Sequence, residues 1–170
     1  MVETSLDTLL ADALREATGT EIALSNGFRF GHPIVPGPIR ERDLWMLFPV
    51  STHLRVGTVT GAQLRAFWES EIDHVFADDP TRLFGGWLPR VSGMTVRFRS
   101  DRPRGQRVLS IAVNGEPLED ERVYSIAACE REGDTDAADA AERGPIRAIE
   151  GGRVIAEDLP PRVLSQYERR

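Results

Sequence analysis

The amino-acid sequence predicts an α+β fold: a mixed sheet with packed helices. Three observations lead there. Helical and strand patterns alternate through the first half of the chain and give way to strands in the second, an order that suits an α+β or mixed α/β sandwich better than a doubly wound parallel sheet. Asn-Gly pairs stand at 26–27 and 114–115, each at the end of an apolar run, where a chain reverses. The 170 residues run without a repeat, a low-complexity linker or a composition break, so residues 1–170 are expected to form a single domain.

The first element is "SLDTLLADALREATG". Leu6, Leu9, Leu10, Ala13, Leu14 and Ala17 recur at helical spacing, with Ser5 suited to the start and Gly19 to the stop. "EIALSNG" reads as a short strand entering a turn. "HPIVPGPI" holds three prolines, which cannot donate to a ladder, and reads as an extended loop. "ERDLWMLFP" reads as a short helix stopped by Pro49. "HLRVGTVTG" alternates like a half-buried strand, with Leu54, Val56 and Val59 as its apolar positions.

In "TGAQLRAFWESEIDHVF", Thr60 and Gln63 carry the capping-box signature, and Leu64, Phe67, Trp68, Ile72, Val75 and Phe76 fall mostly on one stripe. "GGWLPRVSG" reads as an exposed loop, because its glycines weaken a core strand. "MTVRFRS", "RVLSIAVNGEPL" and "RVYSIAAC" follow as strands. "EREGDTDAADAAERG" reads as an acidic loop running into a short helix, and "AEDLPPRVLSQYERR" as a proline-started last helix.

A net charge of −6 argues against general nucleic-acid binding, which needs a basic face to displace phosphate counterions. No apolar run reaches the length of a membrane span, so neither nucleic acid nor membrane is expected as a partner. No basic-then-apolar leader opens the sequence, so no signal peptide is visible in it. Cys129 ends a strand pattern with no partner cysteine, and a buried structural thiol is expected there rather than a nucleophile. His32, His53 and His74 lie far apart without ligand spacing, so no metal site is expected in this chain. All 21 basic residues are arginine, the better fork for carboxylate and phosphate oxygens. In "SNGFRF" one of them stands between two phenylalanines directly after a turn, a combination that fits a concave surface holding a flat anion.

Five segments, in order, resemble the C-terminal domain of the 5′-nucleotidase family. "SLDTLLADALREATGTEIALSNGFR" is similar to its opening helix and its strand into Asn-Gly-Gly-x-Arg. "PGPIRERDLWMLFPVSTHLRVGTVTGAQLRAFWE" resembles its helix, Leu-Pro-Phe turn, strand and "TGxxL" helix. "GGWLPRVSGMTVRF" resembles its Gly-x-Phe-x-Gln-x-Ser-Gly segment, and "RGQRVLSIAVNGEPLEDERVYSIA" the strands and hairpin that follow. "EGD" resembles its Gly-Gly-Asp. The likeness runs from about Ser5 to Tyr167.

The resemblance implies a domain that binds the nucleotide, while a separate metallophosphatase domain with two divalent metal ions hydrolyses the phosphate ester. That domain's Asp-x-His and Gly-Asn-His-Asp/Glu markers do not occur in this sequence, so the catalytic half is expected elsewhere, in another chain or a missing part. The isolated chain is then expected to be inactive. Members of the family are mostly exported, which implies a periplasmic or extracellular setting.

Four substrate-binding residues follow from the resemblance, and no catalytic one. Arg29 matches the arginine that contacts the substrate phosphate; the other reading is a surface arginine beside a turn. Asn26 matches the asparagine of the same loop, though Asn-Gly turn chemistry accounts for it equally. Trp87 falls where the family stacks a phenylalanine on the base; the other reading is a core or lid tryptophan. Asp134 matches the aspartate that hydrogen-bonds the ribose, and it also suits a helix N-cap.

Phe28 stands where the family has a small or glycine-rich stretch, and the sharpest departure is that no aromatic residue occurs between Tyr124 and Tyr167, where the second face of the base sandwich belongs. The expected ligand is therefore a nucleotide or a smaller anion. A stand-alone binding or protein-interaction module is one alternative. The binding half of a thiosulfohydrolase-like enzyme, which "GFRFG" resembles, is another.

Overall fold

A computed structural model describes residues 5–25, 36–47, 54–83, 87–129 and 152–156. The elements are α1 (Ser5–Thr18), β1 (Ile22–Ser25), α2 (Glu41–Leu47), β2 (Leu54–Thr60), α3 (Gly61–Phe76), a 3₁₀ turn (Pro80–Arg82), β3 (Arg90–Ser92), β4 (Met94–Phe98), β5 (Val108–Val113), β6 (Glu116–Pro117), β7 (Val123–Cys129) and β8 (Gly152–Ala156). The α+β class holds, but the strands form two mixed sheets rather than one. The first has the order β2-β7-β1-β3 and the second β6-β5-β4-β8. β1 runs parallel to β7, and β4 parallel to β8; the other pairs are antiparallel.

The main core lies between the two sheets and α3. Ile22 and Leu24 of β1, Val91 of β3, Val96 and Phe98 of β4, and Tyr124 and Ile126 of β7 meet Leu64, Trp68 and Ile72 of α3 there. Burying apolar side chains of this size stabilises by roughly 1.5–3 kcal/mol each. On the other face of the first sheet, Ala23 and its register partner Ala127 leave room for Leu14 of α1 to pack. The alternation of strand side chains thus makes β1 a two-sided strand, large toward the core and small toward the helix.

Several elements follow the local rules. α3 begins with the capping box: Gln63 N–H donates to Thr60 Oγ1 at 3.3 Å, and Thr60 N–H donates to Gln63 Oε1 at 2.9 Å. Asn114 (φ 52°) and Gly115 (φ 88°) both take the left-handed conformation that a two-residue hairpin turn needs. Gly93, between β3 and β4, has φ +81°, and a Cβ there would stand 2.0 Å from Glu21 O.

Other expectations need correction. The buried stripe of α1 is Asp7, Ala11 and Leu14, while Leu9 is exposed, because α1 rests on β1 and β3 by that face. In β2 only Val59 is buried; Leu54 and Val56 are exposed, since β2 is an edge strand and they sit on the face that Val59 does not. "GGWLPRVSG" is not all loop: it holds β3, whose three residues are buried. "GRVIA" forms β8, which the sequence pattern did not mark. The acidic segment after Cys129, the last predicted helix beyond Ala156 and the first half of the proline-rich loop lie outside the described residues, as does the Cys129 side chain.

Candidate functional site

One end of the first sheet gathers four strand ends. β1 finishes there at Ser25 and β7 at Cys129, because the two are parallel neighbours with Leu24 opposite Ala128. β2 and β3 run the other way, so each begins there: Leu54 pairs with Cys129, and Arg90 with Ser25. Adjacent strands stand about 4.8 Å apart, so the four ends span roughly 14 Å. Chain segments leaving or entering a sheet at such an end are well placed to converge on one ligand.

Among the four predicted binding residues, Trp87 is described. It lies three residues before Arg90 and is 41% exposed, while Leu88 and Arg90 are buried. It is therefore not a core tryptophan. Asn26, Arg29 and Asp134 lie outside the described residues. Asn26 directly follows Ser25, and Asp134 comes five positions after Cys129 in the sequence.

Sequence reasoning missed the polar residues beneath this end. Arg90, Asp7 and Ser25 are all buried. Arg90 Nη1 donates to Leu88 O at 2.8 Å, and Arg90 Nε stands 4.0 Å from Asp7 Oδ2. Ser92 Oγ donates to Asp12 Oδ1 at 2.6 Å, a second link from β3 to α1. A signal did exist. Asp7 occupies a stripe position four residues before Ala11 and seven before Leu14, so a carboxylate falls where helical spacing calls for an apolar side chain. Leu54, an apolar position of the predicted strand, is exposed at the same end.

A second polar cluster lies at the C-terminal end of α3. The buried Asp73 takes Arg82 Nη2 and, at 3.4 Å, Arg104 Nε on Oδ2, and Arg107 Nη1 at 3.2 Å on Oδ1. Burial raises the Asp73 carboxyl, but the hydrogen bond from Arg82 and the charges of Arg82, Arg104 and Arg107 outweigh it and hold the group below its ordinary value. Beside it, Glu69 accepts from the backbone N–H groups of Arg107 at 3.1 Å and Val108 at 2.8 Å. An open groove of about 430 Å³ runs along α3, lined by Ala62, Ala66, Ser70 and Gly105 together with Arg65, Glu69, Arg104 and Asp120. Its charges already have partners: Arg65 binds Asp120 at 2.8 Å, Arg104 faces Asp73, and Glu69 holds backbone N–H groups. Among the described residues, no three His, Cys, Asp or Glu side chains come together as metal ligands would. No helix among them is long and apolar enough to cross a membrane.

Fold and sequence together assign the chain. The model of the 5′-nucleotidase, C-terminal domain family matches residues 1–130, and the chain belongs to that family. It is 29% identical over 115 residues to the trifunctional nucleotide phosphoesterase YfkN of Bacillus subtilis, a match that takes in 65% of this chain and 8% of that protein. Among solved structures, it is similar to the sulfate thiohydrolase SoxB of Thermus thermophilus, with a TM-score of 0.73 and 25% identity over 93% of this chain and 33% of that one. It also shares the fold of a 5′-nucleotidase precursor from Thermus thermophilus, with a TM-score of 0.63 and 24% identity over 94% of this chain and 36% of that one. The chain thus spans about a third of these solved proteins and under a tenth of the curated relative.

Proposed function

We propose that this domain is the substrate-binding part of a 5′-nucleotidase-like phosphoester hydrolase. It holds a nucleotide or small anion while a separate domain or chain, carrying two divalent metal ions, performs the hydrolysis. The observation that carries this reading is the shared sheet end. β1 and β7 finish there and β3 starts there, so the segments bearing Asn26 and Arg29, Asp134 and Trp87 all join the sheet at neighbouring strands. In this reading Arg29 takes the anion through its guanidinium fork, Trp87 stacks on the base, and Asn26 and Asp134 bond the remaining polar groups. The described residues do not fit the metal pair, so no chemical step is assigned to this chain. The exposed Leu44, Trp45 and Met46 of α2 support a partner domain or chain, since such a set suits a covered surface.

Calorimetry with AMP, adenosine, phosphate and thiosulfate tests the reading. Binding of AMP is expected in the parent, and Arg29→Ala should weaken it by about 1.5–3 kcal/mol, the worth of a hydrogen bond to a charged group. No binding of any probe would sink it. A second reading has its own support. The missing second aromatic and the likeness to the sulfate thiohydrolase favour a sulfur oxyanion without a base. Thiosulfate binding without AMP binding selects it.

A further inference from the structure

The ligand end of the first sheet holds a charged pair that the proposed contact residues do not include. Arg90 is 2% exposed and Asp7 4%. Strand alternation explains their meeting. Val91 points into the main core, so Arg90 and Ser92 on either side of it face α1. Ala23 and Ser25 lie on the same face of β1, and Ser25 is the register partner of Arg90. Arg90 therefore meets three pieces: through its guanidinium the first turn of α1 and the carbonyl of Leu88 next to Trp87, and through its backbone the last residue of β1.

A buried ion pair is a poor way to gain stability, because desolvation of both charges offsets their attraction and an apolar pair of similar volume does as well or better. What the pair offers instead is direction. A guanidinium bonded to a carbonyl on one side and facing a carboxylate on the other sets the distance and orientation of the elements around it. We propose that the Asp7–Arg90 pair is the positioning element of the ligand site, an inference that rests on the reading of this sheet end as the place of binding. It sets the spacing between the end of β1 and the segment that carries Trp87. It controls affinity without touching the ligand.

The test uses the full chain, with AMP, phosphate and thiosulfate as calorimetric probes and amide hydrogen exchange as a readout that needs no ligand. In the double variant Asp7→Leu/Arg90→Met, apolar groups replace both charges, so the melting temperature is expected within about 4 °C of the parent. Affinity for whichever probe the parent binds should fall by about tenfold or more. Amides 24, 25, 88, 90 and 91 should exchange faster, while those of β5 keep their rates.

Arg90→Lys keeps the charge opposite Asp7 but not the fork, and should lie between parent and double variant in both readouts. It also decides the matter if the double variant fails to fold. A folded variant with unchanged affinity, or with unchanged exchange at those amides, overturns the positioning role. If the parent binds none of the probes, the functional reading fails. Exchange then decides the positioning by itself: faster rates confined to that end support it, and unaltered or uniformly raised rates overturn it.

Discussion

Among the described residues two aspartates are buried against arginine, and the two arrangements differ in kind. Asp73 receives Arg82, Arg104 and Arg107 on both carboxylate oxygens and clamps the end of α3, the 3₁₀ turn and the β4–β5 connection together. Asp7 faces Arg90 at 4.0 Å beneath the end of β1. The first is a many-handed staple in a region whose charges are already matched. The second is a spaced pair directly under the place where chain segments leave the sheet. The same two residue types thus serve stability in one place and geometry in the other. What decides is how many bonds the carboxylate makes and which elements those bonds join.

The largest effect expected is on the staple. Asp73→Ala leaves Arg107 buried without its partner carboxylate and should lower stability by about 3–5 kcal/mol in urea denaturation. Affinity for AMP or thiosulfate should not change in the fraction that remains folded; a matching loss of affinity would break the comparison. The pH dependence sharpens it. The folded pKa of Asp73 lies below its unfolded value, so its contribution is present above about pH 4 and is lost as pH falls through the depressed folded value. Below about pH 4 the parent should therefore lose melting temperature more steeply than Asp73→Asn, which has no proton to gain there.

At the sheet end beside Trp87 the effect should move from stability to binding. Trp87→Ala removes a half-exposed ring, so stability should shift by no more than about 0.5 kcal/mol, while AMP affinity falls by about 1–3 kcal/mol. If thiosulfate is the true ligand, the same substitution should leave its binding almost untouched. The smallest effect belongs to Arg104→Ala. That side chain is 73% exposed, and its contribution to the clamp is screened by water, so the loss should stay below about 1 kcal/mol.

How much of this was legible beforehand follows the range of the interactions. The capping box at Thr60, the Asn114-Gly115 turn and the extents of α1 and α3 were all readable, because each depends on residues within a turn or two of one another. Trp87 was placed in an exposed segment, and its exposure agrees. β3 escaped notice because three residues between a proline and a glycine carry no period, and only pairing with β1 makes them a strand. Arg90 escaped for the same reason. Nothing within "LPRVSG" says that its arginine will be buried against the first turn of a helix more than eighty residues earlier.

The sequence by itself determined the family, the three helices of the described residues and the Asn114-Gly115 turn. Only the tertiary structure decided that the strands form two sheets, which face of α1 is buried, and which strand ends share an edge. The physical reason is that register between β1, β3 and β7 is set by matching small against large faces across strands distant in the chain. Local propensity has no knowledge of that match until the core closes.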